Sequence, residues 1–73
     1  MSPLQAEVTA ELRWAYAECD RGAFSAYLGQ YLGIVNKTVH AVGDAACARR
    51  EAAKKAGVPP ERVALFYVGG EEF

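Results

Sequence analysis

The stretch SAYLGQYLGIVNKTVHAV, residues Ser25 to Val42, decides how the middle of this chain is read. Its apolar positions Tyr27, Leu28, Tyr31, Leu32, Val35, Val39 and Val42, continued by Ala46, recur at helical steps of three and four. Gly29, Gly33 and Gly43 each cost about 1 kcal/mol relative to Ala inside a helix, so one long helix is disfavoured. The spacing then predicts two short helices, residues 25–32 and 36–42. A third follows over 45–56, opened by Asp44 after Gly43 and closed by Gly57.

Outward from this stretch the signals are local ones. Ser2, Pro3 and Gln5 mark a helix start, with a capping hydroxyl, a proline that fits the first turn and a residue placed to close a capping box. Leu4, Val8, Leu12, Ala15 and Cys19 then form one apolar stripe, with Glu7, Glu11 and Glu18 off it and Gly22 as the stop. Downstream, Pro59 and Pro60 block helix continuation, with a short helix beginning at Pro60 as one option. The apolar run Val63 to Val68 reads as a short strand or buried extended tail. The expected fold is mainly α: a compact bundle of three to four short helices with a short C-terminal extended segment or strand, in one domain over residues 1–73.

A chain of 73 residues, 52% hydrophobic and 23% charged, is apolar enough to fold and short enough that its stability is marginal. Chains of this size commonly rely on a partner subunit, so a homodimer is expected. No apolar run approaches a membrane span and the N-terminus lacks a secretion signal, which predicts a cytoplasmic protein with Cys19 and Cys47 reduced and no membrane partner. The formal net charge of −1 hides an asymmetry. Both ends are acidic, whereas Lys37, Arg49, Arg50, Lys54, Lys55 and Arg62 make the middle basic.

Residues 25–42 resemble the helix-turn-helix of small transcriptional regulators. Gly29 stands where that family has a small residue, Gly33 opens the turn, and Leu28, Leu32, Ile34, Val39 and Val42 fit its apolar positions, although Val35 replaces the usual Ser or Thr cap. The resemblance implies a recognition helix in the major groove of double-stranded DNA, with Asn36, Lys37, Thr38 and His40 at base edges. Arg49, Arg50 and Lys54 would then meet phosphates.

A second resemblance rests on HisAlaValGlyAsp at 40–44 and GlyGlyGluGluPhe at 69–73, which look like pieces of a diguanylate cyclase domain. Leu28 and Gln30 stand where that family holds metal-binding carboxylates, so the resemblance implies a degenerate fragment without the metal clamp. Otherwise Glu71 and Glu72 read as a solvated acidic tail.

His40, Asp44 and Cys47 would share a face only on an unbroken helix, and Gly43 interrupts it; no metal site and no cofactor is expected. No serine or cysteine stands in a nucleophile signature, so no catalytic residue is assigned. Trp14, Tyr16, Tyr27, Tyr31, Phe66 and Tyr67 are more aromatic surface than a small core can hide, and mark a candidate protein interface. The function expected is a small non-enzymatic regulator that binds DNA through the helix-turn-helix. The alternative is a helical adaptor or inhibitor of the phage- or plasmid-accessory kind, bound to a protein through its aromatics.

Overall fold

The computed structural model of the protein describes residues 3–69. The fold is α+β: helix α1 (Pro3–Asp20), strands β1 (Gln30–Val35) and β2 (Thr38–Gly43), helix α2 (Ala45–Ala56) and strand β3 (Ala64–Val68). One-turn 3-10 helices stand at Ser25–Tyr27 and Pro60–Arg62. The sheet has the order β2-β1-β3, and β1 is antiparallel to both neighbours. This overturns the helical bundle. The segment expected to be a helix-turn-helix is a single 3-10 turn followed by a β-hairpin, so no recognition helix exists.

The hairpin is set by its two-residue turn. Val35 pairs with Thr38, and between them Asn36 and Lys37 both adopt the left-handed conformation, with φ of 55° and 57°. A two-residue turn with both central residues left-handed matches the right-handed twist of the strands it joins, and Asn is among the residues that tolerate it. Residues 30–35 escape a periodicity search because β1 is covered on both faces. Leu32 and Ile34 point to the α1 side, while Gly33 and Val35 point to the α2 side. A strand buried on both faces is a continuous apolar run with no polar alternation. Between the Gly33–Ala41 and Ile34–Val39 pairs the register shifts, leaving His40 as the extra residue of a β-bulge.

Elements with local punctuation fall where the sequence places them. Gly22, at φ 82°, ends α1 while the Ala23 N–H returns to the Glu18 carbonyl at 3.0 Å. Asp44 caps α2 by accepting from the Cys47 N–H at 2.9 Å, and Gly57 closes it in the left-handed conformation. The short helix at Pro60 and the strand at the C-terminal apolar run both form. The Ser2 cap and the tail beyond Gly69 lie outside the described residues.

The sheet lies between the helices. On one face Ala15, Phe24, Leu32, Ile34, Ala64, Phe66 and Val68 make the larger core, with Val8, Leu12, Trp14, Cys19 and Tyr27 against it. On the other, Val35, Ala41, Ala52, Ala53 and Val63 make a smaller one built largely from alanine. The helices are offset: α1 lies mainly against β3 and the Pro60 turn, α2 mainly against β2 and β1.

Close approach of α2 depends on Gly33, where an added Cβ would stand 2.6 Å from both the Ala48 carbonyl oxygen and the Ala52 Cβ. Gly33→Ala is expected to lose about 1–3 kcal/mol of stability in urea denaturation, the usual cost of overpacking, because a backbone carbonyl cannot rotate away. Lys37→Gly should act in the opposite sense. Relief of a left-handed non-glycine residue, about 1–2 kcal/mol, exceeds the added freedom of the unfolded chain, so the thermal midpoint should rise by a few degrees.

Candidate functional site

The most polar buried contact joins three elements at the hairpin end of the sheet. Glu11 of α1 is only 4% exposed, although it borders the apolar stripe instead of lying on it. Its Oε2 accepts the Asn36 N–H at 2.6 Å and an Arg62 Nη2–H at 2.8 Å, and its Oε1 accepts the Lys37 N–H at 2.7 Å. Successive left-handed residues turn their N–H groups the same way, which makes the turn a small anion-binding nest. Here the anion is the protein's own side chain. Arg62 also reaches Glu7 through Nε at 3.0 Å, and its Nη1 is buried without an acceptor.

Burial alone raises the Glu11 pKa and is the largest single influence. The hydrogen bonds from Arg62, Lys37 and Asn36, with the guanidinium charge, together outweigh it and hold the carboxyl below the ordinary glutamate range. Both oxygens are occupied by donors, so the group is placed as a structural tie and not as a general base. An open hollow of about 330 Å³ beside it is lined by Glu7, Ala10, Glu11, Asn36, Lys37 and Arg62. Two carboxylates and two cations line it, which leaves no net field to draw a charged ligand.

The second cluster is on α2. Arg49, Arg50, Lys54 and Lys55 are all exposed, Glu51 is the only acid in the helix, and none of the four cations pairs with a carboxylate among the described residues. The contact Arg50 does make is with the Cys47 sulfur, 3.7 Å from Nη2. Across the sheet, α1 is the reverse: Glu7, Glu11, Glu18 and Asp20 against Arg13 alone. Glu7 and Glu11 are paired with Arg62 and Glu18 with Arg21, so the acids of α1 are largely balanced and the unbalanced charge is the basic one on α2.

The residues assigned to DNA separate accordingly. Asn36 and Lys37 form the hairpin turn, Thr38 and His40 stand on β2, and only Arg49, Arg50 and Lys54 share an exposed surface of one helix. The aromatic set also divides. Phe66 is in the core and Trp14 and Tyr27 pack against it, so these three are structural. Tyr16 and Tyr67 remain 66% and 52% exposed, and Tyr31 is half-buried with its ring 5.0 Å from that of Tyr67.

His40 sits in the bulge while Asp44 uses its carboxylate to cap α2, where the Cys47 N–H keeps its pKa low; no metal-ligating group of three forms among the described residues. Cys47 is exposed, not buried as cysteines usually are. Of the pieces that resemble a diguanylate cyclase, HisAlaVal 40–42 lies on strand β2, and of the GlyGlyGluGluPhe segment only Gly69 is among the described residues. No helix among the described residues is long and apolar enough to cross a membrane. No family model, curated protein or solved structure matches the chain.

The sequence places Glu11 off the apolar stripe and Arg62 among the basic residues of the middle but does not pair them; Glu11 stands three residues after Val8 and four before Ala15, on the flank of the stripe. Glu11→Ala, which leaves Arg62 with its exposed partner Glu7 and removes the acceptor of two N–H groups, should cost about 1–3 kcal/mol in urea denaturation. A depressed folded pKa means that the carboxylate's contribution is complete above the ordinary value of about 4.3 and is lost as pH falls through the lower folded value. Urea midpoints measured from neutral pH to pH 3 should fall in the wild type. That step should be smaller in Glu11→Gln, which has no carboxylate to protonate.

Proposed function

We propose that the protein is a non-catalytic nucleic-acid-binding module that contacts phosphates through the outer face of α2. The observation that carries this reading is the set of four exposed cations on one short helix, none in a salt bridge among the described residues, in a chain whose net charge is −1. The excess positive charge of α2 orients the molecule in the field of a polyanion with that helix forward. Arg is suited to phosphate because its planar fork donates two parallel hydrogen bonds; Arg49 and Arg50, both exposed, point about 100° apart around α2 and so reach different phosphates. The contact differs from helix-turn-helix docking: α2 is seated on the sheet by Ala48, Ala52 and Ala53, and offers phosphate contacts without a base-reading row.

A protein partner bound through aromatic surface is the competing reading, favoured by the exposure of Tyr16 and Tyr67. Salt separates the two. Fluorescence anisotropy with a labelled oligonucleotide should show micromolar binding at low salt, with log K falling linearly in log salt. The slope is set by about 0.7–0.9 counterions released per phosphate contact. Arg49→Ala/Arg50→Ala should weaken binding at least tenfold and lower that slope by about 1.4–1.8, with the circular dichroism spectrum unchanged. No binding of any oligonucleotide at low salt would discard this reading in favour of the protein partner.

A further inference from the structure

The offset of the two helices centres α2 on β2 and β1 and α1 on β3, so part of each sheet face lies to the side of the helix packed on it. On the α2 side, α2 covers β2 and β1, and the portion over β3 carries Leu65 and Tyr67, with Tyr31 directly paired to Tyr67 across the strands. Sidedness follows from the register. Gly33 faces α2, so Tyr31 two residues before it does as well, and Leu65 and Tyr67 are the cross-strand partners of Gly33 and Tyr31. Ala64, Phe66 and Val68 point to the opposite core. The two tyrosine rings, 5.0 Å apart and tilted by 49°, thus stand on the same face of the molecule as the cations of α2.

Their level along the sheet matches too. Tyr31 pairs with Gly43, the last residue of β2, and α2 starts two residues later. Gly33 lies under both Ala48 and Ala52, so the turn carrying Arg49 and Arg50 is level with Gly33, two residues along β1 from Tyr31, and Lys54 and Lys55 lie farther toward the hairpin end. A tyrosine surface on the same side of the sheet as a helix with four exposed cations is the pairing a single strand of nucleic acid needs. Unstacked bases rest on π-faces while the backbone follows positive charge. A duplex offers its phosphates but keeps its base faces stacked inside.

We infer that the β3 part of this sheet face, through Tyr31 and Tyr67, together with Arg49 and Arg50 of α2, binds single-stranded nucleic acid, with bases stacked on the tyrosines and phosphates on the arginines. This rests on the reading that α2 contacts phosphate, and it adds the form of nucleic acid and the residues that select it. Tyr67 is 52% exposed, with its ring flanked by Tyr31 and by the Gly69 backbone, so a base reaches the part of the ring that these leave uncovered. The π-face does not distinguish one base from another, which makes the binding tolerant of sequence.

The test compares a fluorescein-labelled oligothymidylate, a random duplex of the same length and an unlabelled abasic strand as competitor, all at low salt. The expected result is single-strand binding at least tenfold tighter than duplex binding, with the abasic strand a competitor at least tenfold weaker than oligothymidylate. Tyr67→Thr, which keeps a strand-forming residue, should lower single-strand affinity about tenfold and leave duplex binding unchanged. Tyr31→Val is the second variant, and Trp14 fluorescence, from the opposite core, reports whether each variant is folded. Equal affinity for duplex and single strand, equal competition by the abasic strand, or wild-type single-strand affinity in both folded tyrosine variants would overturn the inference. If those results came with a loss of all binding in Arg49→Ala/Arg50→Ala, phosphate contact by α2 would stand and only the stacking surface would fall. Absence of binding to either form would remove both.

Discussion

The Glu11 carboxylate is the contact on which the arrangement of this protein depends. It gathers two N–H groups of a left-handed turn and a guanidinium from the opposite end of the chain, and so ties α1 to the hairpin and to the entry of β3. The small core explains why such a tie matters. Alanines provide much of the packing under α2, and an alanine contributes little buried area, so a satisfied ionic contact at the hairpin end adds definition that the apolar surface alone supplies only weakly. Because both carboxylate oxygens and two nitrogens of Arg62 are engaged, the contact specifies one docking of α1 against the sheet.

With α1 held at the β3 side and α2 held close over Gly33, the two helices are staggered across a three-stranded sheet. The stagger separates charge as well as covering the core. The ion-paired glutamates of α1 and the exposed cations of α2 end up on opposite faces, and the aromatic residues divide between a buried group around Phe24 and Phe66 and a pair of tyrosines left outside. A basic helix next to an open sheet surface is a consequence of where α2 stops, and the functional reading follows from that placement more than from any motif. The helix-turn-helix likeness of residues 25–42 arises because apolar residues at steps of three and four are also produced by a doubly buried strand, a tight turn and a second strand with a bulge.

What the sequence by itself determined is everything punctuated locally. Gly22 ends α1, Asp44 and Gly57 bracket α2, and Pro59 and Pro60 precede a short apolar strand, because caps and breakers act within a turn of where they stand. The exposure of Arg50, Lys54 and Lys55 was legible for the same reason, since charged residues off the apolar stripe of a capped helix face water. Tertiary structure alone decided the rest. Whether residues 30–35 are helix or strand turned on layers covering both faces of β1, and its β-branched Ile34 and Val35 beside Asn36 were the faint local signal. Glu11 meets its partners at separations of 25, 26 and 51 residues, and Tyr31 meets Tyr67 only through strand register. Contacts that far apart in the chain leave no periodicity behind, because their geometry is fixed by the packing of the layers and not by the backbone between them.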